Sequence, residues 1–293
     1  MRRILVATDF SARSDRALRR ATLLAKRAGS TLLLVHVVDD DQPARIVDAE
    51  RGVARQLLAE LSATISDVDG VDCDTDVILG DPFDGIVRAA ADRASDLLVI
   101  GPHRRRALRD IFVGTTAERT IRAAPCPVLM ANAPPVAPYR HVLLTTDLSE
   151  ASRIALADFA ALGIADATES SVLTSVLHVF DAPALRLGMT RSMPKDQQAH
   201  YLEEGREAAT RALDHFMTGL GAELRVAPAA RLVRYDATLP ANEILDAAKG
   251  GRADLIVVGT QGKIGLARLF LGSVAAEVLR TAETDVLAIP QRN

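Results

Sequence analysis

The chain is poor in the features that would place it in several large classes. Its 293 residues hold two cysteines, Cys73 and Cys126, in no CxxC spacing. That excludes a disulfide framework or a thiolate metal cluster and makes a reducing, cytoplasmic setting the default. No apolar run approaches the roughly 18–20 residues that a membrane span needs. Met1-Arg2-Arg3 runs straight into an apolar strand and then Asp9, so no signal peptide is visible. The formal net charge is −3, which gives no electrostatic argument for nucleic acid or an anionic membrane as partner. Catalytic signatures are missing as well. There is no GxxxxGK[ST], no GxGxxG after the first strand and no GxSxG elbow, which sets aside P-loop, dinucleotide-fingerprint and nucleophile-elbow chemistry. What remains is an ordinary globular composition, 48% hydrophobic and 25% charged, with length for two cores.

The strongest positive signal is that the chain repeats itself. Residues 4-ILVATDFSARSDRAL-18 align with 142-VLLTTDLSEASRIAL-156 at an offset of 138, and 36-HVVD-39 aligns with 178-HVFD-181 at 142. Two later blocks, 95-SDLLVIG-101 with 253-ADLIVVG-259 and 111-IFVGTTAERTIRAAPCPVLM-130 with 269-LFLGSVAAEVLRTAETDVLA-288, share an offset of 158. Four blocks in one order mark a duplicated domain. The halves are 1–133 and 138–293, and the Pro-rich stretch 132-NAPPVAPYR-140 is a short, stiff linker between them.

Within the first half, periodicity predicts strands near 3–8, 31–37, 71–78, 96–100 and 127–131, and helices near 13–28, 44–64, 83–94 and 114–123. Asp81-Pro82 is a helix start with Pro in the first turn, and 239-LPANEIL-245 repeats it. Alternating strands and helices call for an α/β fold: two tandem Rossmann-like domains, each a parallel sheet covered on both faces. Such sheets bind ligands beyond the carboxyl ends of their strands. Asp9 and Asp147 follow strand one, Val37 and Val179 end strand two, and Gly101 and Gly259 end strand four. Each trio converges on one crevice.

In the second half an apolar run ends at Gly259, glycines follow at 262, 265 and 272, and a helical pattern starts at Ser273. Strand, glycine-rich loop and helix N-terminus together form a phosphate cradle. Glycine allows close backbone approach, and the free amides of the helix start favour an anion. A turn without a ligand is the plainer reading of one such loop, and the repetition is what weighs against it.

The spacing Gly259-x2-Gly262-x9-Gly272-Ser273, with 142-VLLTTDLS-149 and 177-LHVFD-181, resembles the nucleotide signature of the universal stress protein family. The resemblance covers both halves. It implies a five-stranded sheet ordered 3-2-1-4-5 in each domain and an adenine nucleotide, ATP or AMP/ADP, as ligand. It implies that Thr146 and Asp147 face the nucleoside and that the backbone of Val179 holds adenine. Gly259, Gly262, Gly272 and Ser273, with the amide of Val274, would hold ribose and phosphates. Asp147 and the phosphates could recruit Mg²⁺ through waters.

The first half departs from this pattern. Its positions are Asp9, Val37, Gly101, Arg104, Gly114 and Thr115, with Arg104 where the second glycine should stand. A long side chain there crowds a backbone meant to approach phosphate. Arg104, with Arg105, Arg106 and Arg109, either closes the pocket, binds an anion of its own, or is a solvated loop. The expectation is one competent site, in the second half.

Other candidates read as structural. His36 and His178 are expected to be hydrogen-bonded strand-end residues rather than metal ligands, and Cys126 a small buried side chain. No residue set suggests a metal site or a catalytic group. Three functions follow: an adenine-nucleotide-binding regulator of the stress response acting on a protein partner, an interaction protein that binds no nucleotide, or a slow ATP hydrolase. The last strands, 126–131 and 285–289, could pair within the chain as an internal pseudo-dimer, and a homodimer of the whole chain is also compatible. Residues 181–198 would be a lid or a partner surface.

Overall fold

The computed structural model describes residues 1–102, 116–165, 172–186, 188, 193–224, 228–236, 239–261 and 271–291. The first half runs β1 (Arg3–Ala7), α1 (Ala12–Ala28), β2 (Thr31–Val38), α2 (Ala44–Asp69), β3 (Cys73–Leu79), α3 (Pro82–Asp92), β4 (Leu97–Ile100), α4 (Thr116–Ala123) and β5 (Val128–Met130). The second runs β6 (His141–Thr146), α5 (Glu150–Leu162), β7 (Leu173–Phe180), α6 (Pro183–Arg186), α7 (Lys195–Leu220), β8 (Ala230–Tyr235), α8 (Pro240–Gly251), β9 (Leu255–Gly259), α9 (Ser273–Thr281) and β10 (Asp285–Ile289). No described helix is long and apolar enough to cross a membrane.

The strands form one ten-stranded sheet, β3-β2-β1-β4-β5-β10-β9-β6-β7-β8. Each half therefore has the expected order 3-2-1-4-5, with parallel pairing inside it. The halves meet where β5 and β10 pair antiparallel, Leu129 opposite Leu287, so the internal pairing of the last strands is realised. The strands alternate their side chains between two layers. Ile4, Val6, Leu32 and Leu34 face α1 and α2, while Leu5, Leu33, Leu98 and Ile100 face α3 and α4. The corresponding residues of the second half extend both layers across the seam. Both faces being covered explains why the central strands read as unbroken apolar runs.

Local signals set the helix ends. Ser11 and Ser149 cap α1 and α5, accepting from the N–H groups of Ser14 and Ser152. Gly29, Gly70 and Gly163 end α1, α2 and α5 with φ of 61, 67 and 70°. α2 runs to Asp69 rather than to about 64, because Ile65 is buried and keeps the last turn packed until Gly70 stops it. Asp81 caps α3 with Pro82 as its first residue. Cys126 is buried, as expected, and burial pushes the Cys73 thiol up to about 11, which keeps it neutral.

The linker is clamped to both halves by a buried network. Arg20 of α1 pairs with Asp285 of β10 at 2.8 Å. The Tyr139 hydroxyl donates to the same carboxylate at 2.7 Å, and the Ala133 N–H donates to its other oxygen at 2.8 Å. Arg20 also donates to the Ala137 carbonyl, and Arg16 to the Asn132 carbonyl. Their repeat counterparts at the 138 offset are Asp158 and Ile154, so the clamp belongs to one side of the pseudo-twofold.

Candidate functional site

Both crevices are built around the turn after the first strand of each half. In the second, Asp147 Oδ1 accepts from the Ser149 N–H at 3.0 Å and from the hydroxyls of Ser149 and Ser152 at 2.5 Å each. Thr146 Oγ1 accepts from the Leu148 N–H at 3.0 Å. This doubly hydrogen-bonded turn holds Leu148 at φ 63°, and the first half repeats it with Phe10 at φ 57°. A non-glycine residue in the left-handed region costs of order 1–3 kcal/mol unless its surroundings over-determine it. Here hydroxyl and carboxylate partners do so twice. His178 Nδ1 lies 3.0 Å from the Thr146 carbonyl and His36 Nδ1 2.8 Å from that of Thr8, so both imidazoles donate there. The two histidines are strand-end hydrogen-bonding residues, as expected.

The remaining second-domain residues converge through the sheet order. β6 lies between β9 and β7, which places Thr146 and Asp147 between Gly259, the last residue of β9, and Val179, near the end of β7. The Thr260 N–H bonds the Ile289 carbonyl, and the Gly272 N–H bonds the Thr260 carbonyl at 2.8 Å. The start of α9 is thereby docked on the end of β9. Gly272 occupies the cap position of α9 and no side chain caps the helix. The first-turn amides, among them those of Ser273 and Val274, thus have no intrahelical acceptor and, among the described residues, no capping side chain. Gly262 lies outside the described residues. Of the residues singled out for this half, Thr146, Asp147, Val179, Gly259, Gly272, Ser273 and Val274 share the carboxyl end of the sheet.

In the first half, Asp9, Val37 and Gly101 line one cavity of about 500 Å³, together with Thr8, Arg13, His36, Pro82, Thr116 and Thr120. Arg104, Gly114 and Thr115 lie outside the described residues, and so do Arg105, Arg106 and Arg109. Burial works to raise the Asp9 carboxyl, but hydrogen bonds from Ser11 and Ser14 and the charge of Arg13, 3.6 Å away, outweigh it and hold it below 3.8. Gly101 has a packing role besides lining the crevice. A Cβ there would lie 2.7 Å from the carbonyl oxygen of Arg13, so its bareness lets the first turn of α1 pack on β4. At Gly259 the nearest atom to such a Cβ among the described residues is the Gln261 carbonyl oxygen, at 3.4 Å.

Sequence reasoning did not single out Ser14 and Ser152, Arg13, Thr116 or Thr120. The repeated TDxSxxS spacing could have found the serines. Arg13, Thr116 and Thr120 carry no motif and become site residues only through the fold. No group of three His, Cys, Asp or Glu among the described residues could hold a metal.

Known proteins match this arrangement along its whole length. A universal stress protein of Mycolicibacterium smegmatis is 26% identical over 99% of this chain and 97% of its own. The crystal structure of a universal stress protein from Archaeoglobus fulgidus superposes with a TM-score of 0.70 at 18% identity, over 99% of this chain and 96% of its own. A functionally unknown protein from Pseudomonas aeruginosa does so at 0.64 and 23%, over 99% and 93%. At those identities the two structures establish the fold. The universal stress protein family model matches twice, over residues 1–132 and 138–290, and the chain therefore belongs to the universal stress protein family as a tandem of two such domains.

Proposed function

We propose that the protein is an adenine-nucleotide-binding regulator of the stress response, with its competent site in the second domain. The observation that carries this reading is the uncapped start of α9, docked by the Gly272–Thr260 hydrogen bond beside the Asp147 turn. Unpaired helix-start amides and a helix dipole stabilise phosphate oxygens. Asp147 suits a ribose hydroxyl, the Val179 backbone the adenine edge, and Gly262 a close approach of backbone to phosphate. The donor set fits ATP, AMP or ADP. Any Mg²⁺ would be held by the nucleotide phosphates, with Asp147 contributing through water. The reading is of a bound-state switch read by a protein partner rather than of turnover.

The test is the nucleotide content and binding stoichiometry of the purified protein, beside Gly262→Arg, which copies the first domain's Arg104 into the second. About one ATP per chain, lost in Gly262→Arg, supports the reading. Two ATP per chain would show that the first domain takes the same ligand. No binding would leave a stress-protein fold acting through protein contacts alone. Product analysis after long incubation tests hydrolysis.

A further inference from the structure

The seam between the halves is of a kind that two chains can share. β5 pairs with β10 from Val128 opposite Ala288 to Met130 opposite Val286, and that ladder forms equally well whether its strands come from one chain or two. The connection is short and carries Pro134, Pro135 and Pro138. Short, stiff hinges favour the exchange of identical elements between copies. An exchanged dimer keeps every strand pairing and both core layers, so only the linker separates it from the closed chain.

The buried network lies where that linker crosses the seam. The Ala133 N–H donates to Asp285, Arg20 donates to the Ala137 carbonyl, and Arg20 and Asp285 hold each other. Both ends of segment 134–136 are thus anchored on one ion pair, while Val136 between them is 91% exposed. From Ala133 to Ala137 the chain spans at most about 14 Å. In an exchanged dimer the two anchors belong to different seams, each with its ion pair buried inside its own sheet assembly. So short a tether does not join two such sites unless one anchor is released.

The repeat places Asp158 for Arg20 and Pro127 for Asp285, so the pair occurs only on the side that carries the linker. A buried ion pair is a weak source of stability, since apolar residues of similar volume often do as well or better, and its best-attested use is to specify one arrangement over another. We infer that the Arg20–Asp285 pair is a conformational lock: it anchors both ends of the linker, keeps β5 and β10 of one chain together, and prevents two chains from exchanging halves. The lock does not depend on nucleotide binding in either domain.

The register of the seam supplies the assay. Val128 and Ala288 stand directly opposite each other, within reach of a disulfide when both are cysteine. In the full chain with Val128→Cys and Ala288→Cys, and with Cys73 and Cys126 replaced by alanine, mild oxidation links a closed chain to itself and an exchanged dimer chain to chain. Association through any other surface gives no interchain link on a denaturing gel. The lock variants are Arg20→Met with Asp285→Leu, which removes both charges together, and Arg20→Met alone, each equilibrated over a range of protein concentration before oxidation. The parent should give single chains throughout. The double variant should give interchain links about tenfold or more above the parent, rising with concentration, the scale of a lost hydrogen bond from a charged group. Tyr139→Phe should match the parent, because that hydroxyl and its Asp285 acceptor both belong to the second half and stay together on exchange. Circular dichroism and a cooperative melt identify the folded variants, and Arg20→Met alone is read in the same way if the double variant does not fold. Interchain links in the parent, or folded lock variants that stay single chains at every concentration, overturn the inference. Exchange in Tyr139→Phe equal to that of the double variant also overturns it, because any loosening of the seam would then suffice.

Discussion

Arg20 and Asp285, 265 residues apart, offer a test of how the two halves are held together. Their side chains are 5% and 0% exposed and meet at 2.8 Å. The Arg20 guanidinium also lies 4.2 Å over the Tyr139 ring and donates to Ala137. In Arg20→Met the Asp285 carboxylate keeps the Tyr139 hydroxyl and the Ala133 amide but loses its only strong counter-charge among the described contacts. Leaving one partner of a buried pair uncompensated costs about 3–5 kcal/mol. Asp285→Asn strands the arginine instead, and a loss of similar size is expected. The double variant removes both charges, so its loss should fall well short of the sum of the single ones, with a coupling of about 1–3 kcal/mol. Urea unfolding followed by circular dichroism gives all four stabilities. If Arg20→Met costs under about 1 kcal/mol, or the single losses add within about 0.5 kcal/mol, the pair behaves like a surface one. The seam would then rest on β5–β10 pairing and apolar packing.

Two further perturbations are read from the same coordinates. Gly101→Ala should destabilise by about 1–3 kcal/mol, the usual cost of overpacking, because its Cβ meets the Arg13 carbonyl at 2.7 Å. Gly259→Ala, with no described atom nearer than 3.4 Å, should cost less, and thermal melts of the two variants rank them. Acid stability follows from three aspartates. Burial acts to raise Asp96, but the amides of Arg3 and Arg2 and the nearby positive charges bring it below 3.8, and Asp9 is lowered likewise. Carboxyls with depressed folded values stabilise the fold above the unfolded value and lose that contribution as pH falls through the folded one. Asp285 is the reverse case. Burial raises it despite Arg20, Tyr139 and Ala133, so its own titration favours the folded state in acid and that contribution is lost as pH rises through its folded value. Stability measured below about pH 4 should therefore decline less steeply in Asp96→Asn than in the parent, and an unchanged slope would refute the assignment.

The duplication, the strand and helix periods, the Pro82 and Pro240 helix starts, and the aspartates after strand one were all legible in the sequence. Each is a pattern within a few residues of chain, and repetition separated it from chance. The crevice positions followed because a parallel sheet gathers the ends of its strands on one side. The left-handed Phe10 and Leu148 were not legible, since their φ is imposed by hydroxyl and carboxylate partners rather than by residue type. That Gly101 also packs against the α1 backbone was not legible, because Arg13 comes from a distant part of the chain. Arg13, Thr116 and Thr120 look like ordinary helix residues until α1 and α4 are packed around one cavity. The sequence by itself thus determined the family, the fold class and the glycine spacing after β9, because local backbone preference and residue order specify them. The tertiary structure decided that the last strands pair antiparallel within the chain, that Arg20 reaches Asp285, and that Arg13, Thr116 and Thr120 line one cavity, because those depend on which residues packing brings together from distant parts of the chain.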